Sequence, residues 1–164
     1  MPDRILIVDD ERLVLEGWAR SLELEGFVVE AAQTPEEALN KCEEHFDLVL
    51  LDFLMPRMNG VELLARIRKK LPLIRSVVVS GKLDISADEK QITDDLKATV
   101  EADAYLHKPV ADEKLVATIR DLLAKEPSHD WQKIAQRVTD ARRVTLSQAK
   151  EAAAKLKKLR RRGR

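Results

Sequence analysis

A chain of 164 residues, 45% of them hydrophobic, can bury the core of one domain of typical size with a modest appendage, which excludes a wholly disordered polypeptide. Its 29 Lys and Arg balance 29 Asp and Glu, so the chain taken whole is not an indiscriminate binder of nucleic acid or anionic membrane. A single Cys rules out an internal disulfide, no apolar run approaches the roughly 20 residues of a membrane span, and Met1-Pro2-Asp3-Arg4 runs at once into a strand pattern without a leader. A soluble, cytoplasmic protein is the expectation.

The overall balance conceals a division. Residues 125–164 carry 13 Lys and Arg against 4 Asp and Glu, a net of +9, while residues 1–124 carry 16 against 25, a net of −9. An acidic body with a basic tail signals a domain boundary, and Pro127-Ser128 stands at the junction. The expected organisation is a domain over 1–125 and a basic helical extension over 126–164.

Ile5-Leu6-Ile7-Val8 is a continuous apolar run, the pattern of a strand buried on both faces. Arg12 to Glu25 follows with Leu13, Val14, Trp18 and Leu22 at helical spacing, and Gly26 ends the helix. Phe27-Val28-Val29 is a second strand. Thr34-Pro35-Glu36-Glu37 reads as a helix start, with Thr as N-cap, Pro in the first position and acids in the first turn; that helix is expected to reach about His45. Leu48 to Leu51 is the third strand, and a loop with Pro56 and Asn59-Gly60 leads to a helix over Val61 to Leu71. Ser76 to Val79 is the fourth strand, Ala87 to Glu101 a fourth helix, Ala104 to Leu106 the fifth strand and Asp112 to Leu123 the fifth helix. Five strands alternating with five helices predict an α/β sandwich around a parallel sheet with right-handed crossovers.

In such a sheet, ligands bind beyond the carboxyl ends of the strands, so the residues just past each strand carry the chemistry. They are Asp9-Asp10-Glu11 after the first strand, Asp52 after the third, Ser80-Gly81 after the fourth and His107-Lys108-Pro109 after the fifth. Clustered carboxylates repel unless a cation sits among them, and hard oxygen ligands with room for water and phosphate favour Mg²⁺. A carboxylate can itself accept a phosphoryl group, with cation, ammonium and hydroxyl stabilising charge on the transferring oxygens. Asp52, the lone carboxylate on the central strand, is the natural acceptor.

These residues, in this order and spacing, resemble the receiver domain of two-component response regulators. The matching pieces are Ile5-Leu-Ile-Val-Asp9-Asp10-Glu11, Asp47-Leu-Val-Leu-Leu-Asp52-Phe-Leu-Met-Pro56, Gly60-Val-Glu-Leu, Ser80-Gly81 and Tyr105-Leu-His-Lys108-Pro109, and the likeness covers residues 3–124. The resemblance implies a flavodoxin-like (βα)5 three-layer sandwich with strand order 2-1-3-4-5. It implies that Asp52 takes a phosphoryl group from a sensor histidine kinase or phosphotransfer protein, and that the domain then switches conformation to control a partner or its own assembly. Asp9, Asp10, Asp52 and the backbone carbonyl of Leu54 would hold Mg²⁺, with Asp9 acting through water. Ser80 and Lys108 would bind the phosphoryl oxygens, Tyr105 would turn inward when the hydroxyl moves, and the bond before Pro109 would be cis. The chain would catalyse its own phosphoryl transfer and loss without being a substrate-turnover enzyme.

Taken singly, several residues have plainer explanations. Ser80 alone is a loop hydroxyl and Tyr105 a half-buried strand residue. Cys42, with Leu39 and Phe46, reads as a small core residue, Trp18 as helix packing, and His45 and His107 as solvent or edge positions. Two features depart from the family pattern. Ser80 and Lys108 lie 28 positions apart, roughly six more than usual, with the extra residues around Leu83 to Ile92. Glu101-Ala102 stands where a Gly usually precedes the fifth strand. Both touch the fourth helix, expected to be lengthened or atypical, on the face through which receivers usually dimerise or meet partners.

The tail reads as helical. Ser128 can cap a stripe of Trp131, Ile134, Ala135 and Val138, and Thr145 with Gln148 resembles a capping box before Leu146, Ala149, Ala153 and Leu156. Fewer than about 40 residues rarely fold alone, so the segment must dock on the domain, pair with a second chain in a homodimer, or await a partner. Lys and Arg crowd its end, and a small DNA-binding transcriptional regulator acting through these helices is the alternative function, although neither aromatic interleaving nor a helix-turn-helix accompanies the charge. A third class, a haloacid-dehalogenase-like phosphatase, needs an acid two residues after the nucleophile, where this chain has Leu54.

Overall fold

The computed structural model describes residues 1–81 and 102–125. Five strands, β1 (Arg4–Val8), β2 (Val28–Ala32), β3 (Leu48–Asp52), β4 (Arg75–Ser80) and β5 (Ala104–His107), form one sheet in the order β2-β1-β3-β4-β5. Every pairing is parallel. The described helices are α1 (Arg12–Leu24), α2 (Pro35–Lys41), α3 (Gly60–Lys70) and α4 (Asp112–Ala124). The helix expected over 87–101 and the extension from 126 onward lie outside the described residues.

The two-residue period of the strands divides the core in two. Ile5, Ile7, Leu48, Leu50, Val77, Val79 and Leu106 point to one face, where Leu15, Trp18 and Leu22 of α1 and Leu115 and Ile119 of α4 cover them. Leu6, Val8, Val49, Leu51 and Val78 point to the other, against Ala38 of α2 and Leu63, Leu64 and Ile67 of α3. Apolar side chains on both faces explain the unbroken runs of β1 and β3, and each fully buried aliphatic contributes about 1.5–3 kcal/mol.

Local chemistry sets the helix ends. Gly26 has φ 92, and its N–H and that of Phe27 bond back to the carbonyls of Glu23 and Leu22 at 3.0 and 3.2 Å, closing α1 in a Schellman motif. Thr34 caps α2, its hydroxyl accepting from the Glu37 N–H at 3.1 Å, and Asn59 caps α3, accepting from the Glu62 N–H at 2.8 Å.

Two boundaries differ from the sequence expectation. Helix α2 stops at Lys41 rather than near His45: Glu43 and Glu44 donate to Asn40 and Lys41 in three-residue turns, which carry Phe46 into the core before β3. Strand β2 continues to Ala32 rather than Val29. Its Glu30 is neutralised by Arg4 of β1 at 2.6 Å and Lys41 of α2 at 3.2 Å, so an acid that reads as a strand end sits within the ladder.

Beneath β4 and β5, Arg68 of α3 is buried and donates to Ser76 Oγ at 3.0 Å, while Asp103 accepts from the Ser76 N–H at 2.8 Å. This polar group ties the start of β5 to β4.

Candidate functional site

The parallel sheet delivers the carboxyl ends of β1, β3, β4 and β5 to one edge, and with them Asp9 and Asp10, Asp52, Ser80 and Lys108. Asp9 is fully buried, Asp52 is 5% exposed, and Asp10 is exposed. A carboxylate oxygen from each lies within 4.8 Å of the other two. Among the described residues, this is the one group of three that could hold a metal ion.

Each member is held by its own local structure. Asp9 Oδ1 accepts from the Glu11 N–H at 2.8 Å, folding the turn that opens α1. Its Oδ2 accepts from Lys108 Nζ at 2.7 Å, and the same ammonium lies 3.5 Å from Asp52 Oδ1. The Lys108 N–H donates to the Ser80 carbonyl at 2.6 Å, and the bond to Pro109 is cis. Ser80, half-buried, closes β4, with its Oγ 3.5 Å from His107 Nδ1. Half-buried Leu54 offers its backbone N–H to the Asp52 carboxylate.

The buried charges perturb one another. Burial is the largest influence on Asp52 and pushes its carboxyl up to about 6; Asp9 and Asp10 add to this, while Lys108 and the Leu54 N–H oppose it. Asp10 is raised too, by burial and then by Asp9. For Lys108, burial alone would lower the ammonium, but the hydrogen bond to Asp9 and the charges of Asp52 and Asp9 outweigh it and raise the group. The edge carries more negative charge than its one ammonium balances, and its donors are all oxygen, which suits a hard divalent cation.

Tyr105 lies on β5 opposite Val78 and packs on the α2–α3 side of the sheet. Its hydroxyl accepts from the Ala102 N–H at 3.1 Å, turned back toward the start of the strand. His45 and His107 are exposed, and Cys42 is buried in the core, its thiol pushed up to about 11 by that burial.

Two residues gain a significance that single-residue reading did not give them. Gly60 opens α3 against the end of β3: its N–H donates to the Phe53 carbonyl at 2.8 Å, and a Cβ there would fall inside the contact radius of the Asp52 carbonyl oxygen and 3.0 Å from Phe53 Cα. Only a residue without a side chain lets the helix approach the acceptor strand this closely. Trp18, legible as core from its spacing with Leu15 and Leu22, also presents its ring to Lys108 Nζ at 5.5 Å from the centroid.

The family model of the response regulator receiver domain matches residues 5–120. The transcriptional regulatory protein CpxR homolog of Haemophilus influenzae is 39% identical over 125 residues, which cover 76% of this chain and 52% of that protein; the chain thus spans about half the length of this relative. The CheY-like receiver domain protein of Methanospirillum hungatei JF-1 superposes with a TM-score of 0.67 at 37% identity, over 75% of this chain and 94% of that one. The response regulator TrrA of Thermotoga maritima, in complex with Mg²⁺ and BeF, superposes at 0.61 with 30% identity, over 73% and 98%. With the strand order, the acid edge and these matches in agreement, the chain belongs to the response regulator receiver domain family.

Proposed function

We propose that the domain accepts a phosphoryl group on Asp52 from a sensor histidine kinase or phosphotransfer protein, as a cytoplasmic signalling module. The observation that carries this reading is the convergence of the Asp9, Asp10 and Asp52 oxygens within 4.8 Å, with Lys108 Nζ 2.7 Å from Asp9 and 3.5 Å from Asp52. An Asp52 carboxylate oxygen forms the new bond to phosphorus as the bond to the donor's leaving nitrogen breaks. Lys108 and the Ser80 hydroxyl are within the same strand-end cluster to receive the phosphoryl oxygens. Asp9, Asp10, Asp52 and the Leu54 carbonyl are the residues that would hold Mg²⁺; when bound, it neutralises the carboxylates and the charge on the transferring group. The Mg²⁺–BeF complex of the Thermotoga maritima relative supports that choice of ion.

The test is a small phosphodonor, or beryllofluoride, with Mg²⁺. The parent chain should gain the mass of one phosphoryl group or bind one beryllofluoride, and Asp52→Asn should do neither. An Asp52→Asn variant that labels like the parent would remove the reading. The self-catalysed loss of the group makes the domain a switch rather than a turnover enzyme.

The alternative, a DNA-binding regulator, draws on the +9 charge of residues 125–164 and on the transcriptional role of the Haemophilus relative. The family match ends at residue 120, so the likeness to that relative's family does not extend to the tail. A salt-dependent shift on duplex DNA, lost on deleting 126–164, would favour it.

A further inference from the structure

We propose that Trp18 is a positioning residue for Lys108: its indole face holds the ammonium at the Asp9–Asp52 edge, where the phosphoryl oxygens arrive. The inference rests on Asp52 as acceptor and adds a residue from the helix layer to the machinery.

The geometry comes from two elements that meet only through the fold. Leu15, Trp18 and Leu22 form the buried stripe of α1, and Trp18 is 7% exposed, so its ring is fixed by the packing around it. Lys108 follows β5, and its side chain is 21% exposed. Its ammonium has Asp9 at 2.7 Å, Asp52 at 3.5 Å and the Trp18 centroid at 5.5 Å, inside the roughly 6 Å range of cation–π attraction.

The chemistry of these partners differs in a way that matters. A half-buried ammonium must replace its lost water, and each carboxylate does so by taking up one of its three N–H donors. An aromatic face stabilises the charge through its quadrupole and asks for no N–H in a fixed direction. Trp18 therefore anchors the flexible lysine stem while leaving donors free to turn toward an incoming phosphoryl oxygen. A leucine at position 18 would fill much of the space and offer no such attraction.

The full chain carrying Trp18→Leu, Trp18→Phe or the packing control Leu22→Val separates anchoring from core stability. Titrated with beryllofluoride and Mg²⁺, Trp18→Leu should bind roughly three- to tenfold more weakly than the parent, and Trp18→Phe should recover most of the loss. Leu22→Val, with the ring intact, should bind as the parent does. In NMR, the Lys108 ε-methylene protons, assigned by their absence in Lys108→Arg, should lie upfield of the other lysines in the parent, less so in Trp18→Phe, and among them in Trp18→Leu. Parent-like binding by Trp18→Leu, a Phe variant no better than the Leu variant, or equal weakening by Leu22→Val overturns the proposal. A parent that binds no beryllofluoride sinks the acceptor reading instead, and the NMR arm then decides: no upfield shift in the parent overturns the placement as well.

Discussion

At Asp52, a carboxylate on the central strand is 5% exposed and lies beside two other acids, and burial pushes it up to about 6 from an ordinary 3.8. The folded domain thus holds this proton more tightly than the unfolded chain does, so unfolding releases it. Stability from this group is present below about pH 4 and is lost as pH rises through 6, the reverse of a salt-bridged carboxylate. A gap of about two pH units corresponds to something on the order of 2–3 kcal/mol. Without divalent metal, Asp52→Asn, which keeps the shape and removes the charge, is expected to be more stable than the parent by that order at pH 7.5. Urea melts at several pH values would show the two curves converging near pH 4. A variant less stable than the parent at neutral pH would contradict the electrostatic account.

At the level of elements, the joint between α3 and β3 carries the tightest constraint. Ala is favoured over Gly in a helix by up to about 1 kcal/mol, so propensity alone predicts that Gly60→Ala stabilises α3. The close approach to the Asp52 carbonyl and Phe53 Cα opposes this, because the obstructing atoms are backbone and cannot swing away. We expect Gly60→Ala to lower the thermal midpoint and to slow labelling of Asp52 by displacing the end of β3; a raised midpoint would show that the joint yields. The sequence marked Gly60 as part of a motif but not why, since the reason is a neighbour eight residues earlier, brought near by the loop. Strands β1 and β3 were legible because apolar residues on both faces leave an unbroken run. The end of β2 was not, because Glu30 is made tolerable by Arg4 and Lys41 from two other elements. The end of α2 was not, because the need to bury Phe46 outweighs a pattern in which a helix could continue.

Across the whole molecule, the acid edge was legible from a topological rule: parallel strands put their carboxyl ends together, so Asp9, Asp10, Asp52, Ser80 and Lys108 could be gathered before any distance was known. The contact of Trp18 with Lys108 was not, since it joins positions 90 residues apart through packing rather than periodicity. The division of charge at residue 125 suggests a domain that stands without its basic extension. A chain ending at Lys125 is expected to unfold cooperatively, with a midpoint within a few degrees of the full chain, and to respond equally to beryllofluoride; loss of a cooperative transition would move the boundary into the tail.

The guanidinium of Arg75, the first residue of β4, donates to the carbonyl of Lys125 at 2.6 Å. The acids lie beyond the other end of that strand, roughly 20 Å away at the usual rise per residue. The domain is therefore polar in the geographic sense: chemistry enters at one pole and the chain departs at the other, clamped to the sheet as it goes. Any segment attached after Lys125 is informed of events at Asp52 by displacement of the sheet and the helix between, or by reaching back across the full height of the domain.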